Sequence, residues 1–82
     1  MTPGQRLKAA RGALGLSAEQ FAALRVDGGR PLAQSGRTVR RWEDDSQDIP
    51  GAVMALTIVL KRSPHARRIM GLPVHLATAA AE

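Results

Sequence analysis

Between positions 35 and 43 the chain reads Ser35-Gly36-Arg37-Thr38-Val39-Arg40-Arg41-Trp42-Glu43, with three arginines and the only tryptophan of the protein in nine residues. In helical register Thr38, Val39 and Trp42 share an inward stripe, which leaves Arg37, Arg40 and Arg41 on the other side. A guanidinium is a planar fork whose donors match a phosphate or the exposed edge of a guanine. Ser35 stands ahead of the helix as an N-cap, its hydroxyl expected to take a free amide. A short helix pinned by one large aromatic and lined with guanidiniums on its free face has the form of an element that enters a DNA major groove.

The composition agrees with an anionic partner. Twelve Lys and Arg against seven Asp and Glu give a formal charge of +5, and only Lys8 and Lys61 of the twelve are not arginine. Eighty-two residues suffice for one small domain, and a chain of this size buries only about 60% of its unfolded surface, so a second copy would add stability. There is no cysteine, which excludes a disulfide framework and a thiolate zinc site. His65 and His75 stand ten residues apart with no acidic cluster beside them, so no metal and no cofactor are expected. No apolar leader is visible, and the longest apolar run, Ile49 to Leu60, is broken by Pro50 and too short to span a bilayer. A cytoplasmic protein without a membrane partner is expected.

The elements that must hold the arginine helix can be traced from the N-terminus. Thr2-Pro3-Gly4-Gln5 is a capping box with proline at the first helical position, and Leu7, Ala10 and Leu14 recur at helical spacing, which predicts a first helix from Pro3 to Leu14 stopped by Gly15. Gly12 inside it suggests close approach of another backbone. Ser17-Ala18-Glu19-Gln20 is a second capping box, opening a helix that carries Phe21, Ala22 and Leu24 inward and ends near Arg25 or Val26. Asp27 to Gln34 has no periodicity and reads as a loop. After the third helix, Glu43, Asp44, Asp45 and Asp48 form an acidic break that would repel a phosphate backbone. Ala52 to Arg62 is apolar on nearly every face, so a second subunit is expected to cover part of it, with Val53 and Leu60 as contact candidates. Ser63-Pro64 starts a short fifth helix over His65 to Met70, with Arg67 and Arg68 outward. Leu72, Val74 and Leu76 belong to an apolar arm that folds back or reaches a partner. The expected core is Leu7, Leu14, Phe21, Leu24, Val39, Trp42 and Leu56. The fold class is all-α, a compact bundle of four to five short helices with an extended loop between the second and third. One domain spans 1–71, and 72–82 form a C-terminal arm and tail.

Four stretches resemble the phage-repressor and Cro-type helix-turn-helix family. They are Arg6-Leu7-Lys8-Ala9-Ala10-Arg11, then Leu14-Gly15-Leu16-Ser17-Ala18-Glu19-Gln20-Phe21-Ala22, then Ser35 to Glu43, and Ile49-Pro50-Gly51, covering most of positions 5 to 62. The resemblance implies that the third helix reads bases, with Gly36, Arg37, Arg40 and Arg41 outward. Arg37 and Arg41 are then the base contacts, and Arg40 serves a base or a phosphate. Ser35 and Thr38 would reach phosphate oxygens. It also implies a structural ion pair between Arg11 and Glu43. The chain departs from the family in two places. Its loop exceeds the usual link of about four residues, either as an insertion that contacts DNA through Arg30 or as a sign that the two helices meet at another angle. Ala18 stands where the family often has a phosphate-binding glutamine, a task left to Gln20 and Ser17.

The function so implied is a sequence-specific DNA-binding regulator, most economically a dimeric repressor of a phage or mobile-element operon that reads an inverted repeat in double-stranded DNA and works near the nucleoid. A different class is a protein-interaction module, antitoxin-like or a phage accessory protein, that uses the fourth helix and the C-terminal arm. Catalysis is not expected, because the two histidines are unpartnered, there is no cysteine, no phosphate-binding glycine loop precedes a lysine, and the clustered acids lack metal-ligand spacing.

Overall fold

Reciprocal side-chain caps set where the helices begin. A computed structural model of the chain describes residues 1–25 and 29–72. Thr2 Oγ1 accepts from the Gln5 amide at 3.1 Å while Gln5 Oε1 accepts from the Thr2 amide at 3.0 Å, and α1 spans Pro3–Ala13. Gly15 then turns the chain at φ +77°, a left-handed conformation that glycine adopts without strain. The same box recurs at Ser17 and Gln20, with bonds of 3.0 and 2.8 Å, and opens α2, Ala18–Ala22. The later helices are α3, Gly36–Glu43, α4, Gly51–Arg62, and α5, Pro64–Ile69, the last capped by Ser63 Oγ on the Ala66 amide at 3.1 Å. Among the described residues the fold is an all-α bundle of five helices. Its packed pairs are α2 with α3, α1 with α3, α1 with α4, and α4 with α5. Among the described residues no helix is long and apolar enough to cross a membrane.

α2 stops at Ala22, short of the expected Arg25 or Val26. The returning chain takes the carbonyls that a longer helix would have used: Ala33 donates to Ala22 O at 3.1 Å and Leu32 to Leu24 O at 2.8 Å. An isolated antiparallel bridge pairs Arg25 with Pro31, and Ala33 is buried in the core. Much of the expected loop is therefore a tight return that seals the end of α2. Its tip, residues 26–28, lies outside the described residues, as do the expected partner contacts Val74 and Leu76.

The core gathers Leu7, Ala18, Phe21, Ala22, Ala33, Val39, Trp42 and Val53, and Leu24 packs against it half-buried. Leu14 is buried as expected, whereas Leu56 is only half-buried. The inward stripe of α4 is Val53, Thr57 and Leu60, at the i, i+4, i+7 spacing of one helix face, which leaves Leu56 on its flank. Thr57 is accommodated there because its hydroxyl donates to Val53 O at 2.7 Å. Val53 and Leu60 are 4% and 0% exposed, so these two dimer candidates belong to the interior of the single chain. The apolar side chains that α4 does present are Ile58 and Val59, 46% and 49% exposed.

Two further expectations reverse. Arg67 is 5% exposed instead of outward, and its Nη1 donates to Leu60 O at 2.6 Å and Lys61 O at 3.0 Å, two carbonyls at the C-terminal end of α4. A guanidinium at a helix C-terminus meets both the orphan carbonyls and the negative end of the macrodipole. The close backbone approach expected at Gly12 occurs at Gly4. A Cβ on Gly4 would collide with the carbonyl oxygen of Glu43 and lie 2.5 Å from that of Trp42, whereas a Cβ on Gly12 meets nothing within 4 Å. Gly4→Ala is expected to lower stability by about 3 kcal/mol, because backbone must shift to admit the methyl. Gly12→Ala is expected to raise it by about 0.5–1 kcal/mol through helix propensity. Urea unfolding of the two variants checks both signs, and equal responses would show that the α1–α3 approach is not tight.

Candidate functional site

Because Gly36, Val39, Trp42 and Glu43 form the buried side of α3, the exposed side is left to Arg37, Arg40 and Arg41. Trp42 is 4% exposed and packs in the core, which holds the rotational setting of the helix. Arg37, Arg40, Arg41, Ser35 and Thr38 line one shallow recess of about 530 Å³ together with Glu19, Gln34 and Gly36. Lys8 of α1 shares a neighbouring recess with Arg40, Glu43 and Asp44. Ser17, Gln20 and Arg30 are exposed but do not line the main recess. Ser17 and Gln20 are already engaged with each other as the cap of α2.

Three details differ from the sequence-based expectation. Ser35 occupies the N-cap position of α3 in extended conformation, yet its side chain makes no cap hydrogen bond. The bond found there is between backbones, from the Thr38 amide to Ser35 O at 3.2 Å. Gly36 is buried rather than outward, because Glu19 lies over it: a Cβ at Gly36 would be 2.5 Å from Glu19 Oε2 and 3.0 Å from Glu19 N. Arg40 is not free, since its Nη2 donates to Glu19 Oε2 at 2.5 Å. Glu19 and Gln34 were not singled out from the sequence. Glu19 reads there as an ordinary first-turn acid of α2, and its proximity to Arg40, twenty-one positions away, depends on how the loop returns.

Glu43 at the end of α3 and Asp44 and Asp45 after it each have partners within the chain. Glu43 takes a two-pronged bond from Arg11, Nε to Oε2 at 2.5 Å and Nη2 to Oε1 at 3.0 Å, and Arg11 Nη1 also donates to Leu16 O at 2.9 Å. The expected ion pair is thus present, and it joins α1, α3 and the turn before α2. Asp45 sits at φ 63°, which an aspartate tolerates better than most residues, and its Oδ1 accepts from the Gly4 amide at 3.0 Å. Asp44 Oδ1 accepts from the Ser46 amide at 2.8 Å and from the Ser46 hydroxyl. Those two bonds, with Arg41 nearby, hold the Asp44 carboxyl below its ordinary value of 3.8. Hydrogen bonding from its own backbone amide, then from Arg40, likewise holds Glu19 below 4.5. Both folded values are depressed, so what these groups contribute to stability is present above the unfolded pKa and is lost as pH falls through the folded one.

Compared with protein-family models, curated proteins and solved structures, the chain matches none. The site has to be judged on its own geometry, and the frame under α3 is the part most open to measurement. Glu43→Ala is expected to cost about 3 kcal/mol, because it strands the largely buried Arg11 guanidinium. The double variant Arg11→Met, Glu43→Leu should recover part of that loss, since neither charge is then left unmatched. Chemical denaturation of the single and double variants checks the sign; additive losses would mean that the two side chains do not act as a pair.

Proposed function

We propose that the chain is a sequence-specific DNA-binding regulator whose α3 enters the major groove, in the manner of the phage-repressor and Cro-type family that its sequence resembles. The observation that carries this is the pairing of a buried Trp42 with Arg37 and Arg41 on the exposed side of the same eight-residue helix. Rigid burial on one side is what makes a guanidinium fork useful on the other, because a bidentate guanine contact tolerates little angular error. Arg37 and Arg41 read base edges. The Ser35 hydroxyl, unused as a cap, and Thr38 contact phosphate, and Arg30 on the loop adds a further cation.

The regulator acts as a homodimer on an inverted repeat, with repression by occupancy of a promoter and no catalytic step. Ile58 and Val59 on α4 and Ile69 on α5 are exposed apolar side chains available for the second subunit. The same observation favours the second function considered, a protein-interaction module: Ile58 borders a groove of about 430 Å³ between α1 and α4 that Met54, Ala9 and Ala10 help to line. Sedimentation of the purified chain separates the two, because a regulator gives a discrete dimer and an unpartnered module gives monomer with aggregate.

Selection of bound duplexes from a random pool should enrich an inverted repeat. On the selected duplex, Arg37→Ala with Arg41→Ala is expected to weaken binding about 30-fold or more, the loss of two base contacts at the low end of their usual worth. The log of wild-type affinity should fall linearly with the log of salt concentration. An enriched pool that the double variant binds as well as the wild type would show that α3 is not the reading helix.

A further inference from the structure

Arg40 differs from its two neighbours on α3 in being already occupied. Its guanidinium donates to Glu19 of α2 at 2.5 Å, and it is the one arginine of the three with an ion pair among the described residues. Gly36 makes the space for this contact, since any side chain there would run into the Glu19 carboxylate, 2.5 Å from Oε2 and 2.7 Å from Cδ. The carboxylate therefore rests over the first residue of α3, a helix that Ser35 does not cap with its side chain. The amino end of a helix carries partial positive charge. Two cationic features of the reading face, the Arg40 fork and the start of α3, thus meet the same internal anion.

We propose that Glu19 withholds Arg40 from DNA: its carboxylate stands where a backbone phosphate would, so that α3 engages a duplex through Arg37 and Arg41 while Arg40 stays tied to α2. This rests on the DNA-binding function proposed above and specifies its selectivity. Recruiting Arg40 would require a phosphate to displace Glu19 and to tolerate the freed carboxylate nearby. Both costs apply to every sequence, so Glu19 lowers the sequence-independent part of the affinity that a surface this rich in arginine would otherwise have. Arg40 and Glu19 are 59% and 61% exposed in their side chains, so the latch is a weak one and its removal changes affinity by single-digit factors rather than by decades.

The test is a fluorescence-anisotropy titration of a random-sequence duplex and of the pool-selected duplex over roughly 50 to 200 mM salt. Wild type, Glu19→Gln, Glu19→Ala, Arg40→Ala, Glu19→Ala with Arg40→Ala, and Arg37→Ala with Arg41→Ala are compared. Glu19→Ala is included because a glutamine still accepts a hydrogen bond from Arg40. Loss of the carboxylate is expected to tighten binding to both duplexes about twofold to fivefold at low salt, and to steepen the log–log salt slope by about 0.9, the signature of one more neutralised phosphate. Arg40→Ala leaves the Glu19 carboxylate unpaired and should weaken wild-type binding modestly, by no more than about fivefold, and should abolish the gain from Glu19→Ala. A merely structural Glu19 would give weaker binding and a lower melting temperature, with no dependence on Arg40. The inference is overturned if neither Glu19 variant binds more tightly than wild type, or if Arg40→Ala weakens the wild type as much as Arg37→Ala with Arg41→Ala does. If that last double variant loses DNA while the Glu19 variants match wild type, the latch falls and the DNA-binding function stands. If the wild type binds no duplex, both fall.

Discussion

The pairing of Arg11 with Glu43 is the constraint on which the placement of α3 depends. Glu43 ends that helix, and its side chain reaches the last turn of α1 while its carbonyl oxygen lies over Gly4 near the start of the same helix. One residue therefore meets α1 in two places, about two turns apart. Arg11 spends its remaining Nη1 on Leu16 O, which draws the α1–α2 turn into the same joint. With Trp42 buried one residue earlier, α3 has little freedom to roll about its axis, and its arginines inherit that restraint.

Charge is distributed in a way that composition does not reveal. Of the four acids within positions 43–48, Glu43 is buried and paired with Arg11, whereas Asp44 and Asp45 stay exposed and spend their carboxylates on Ser46 and on the Gly4 amide. Asp45 serves in this way as a long-range cap for α1, supplementing Thr2. The acidic break is largely a set of helix-end fastenings.

What could be read from the sequence follows the range of the interaction. The capping boxes at Thr2–Gln5 and Ser17–Gln20 are complete within four residues, and both have their expected bonds. Trp42 and Val39 were legible as inward because helical periodicity is local. Arg11 with Glu43, thirty-two positions apart, was accessible only through family resemblance. Where the deciding partner was distant and no resemblance pointed to it, the residue type misled. Arg67 looked like a surface cation until the end of α4 met it, Gly4 looked like part of a capping box, and Ser35 looked like a side-chain cap, a bond its hydroxyl does not make. The end of α2 was misplaced for the same reason, since Ala33 takes the Ala22 carbonyl from eleven residues further on.

The burial of Arg67 gives the last described helix a significance that its six residues would not suggest. The polar groups that finish α4 are satisfied from α5, so the inward-facing run of Val53, Thr57 and Leu60 depends on chain that comes after it. A shortened protein ending at Ser63 would carry every helix that bears on the arginine face and still leave Leu60 and Lys61 with carbonyls deprived of their guanidinium. The short closing helix thus finishes α4 rather than standing apart from it.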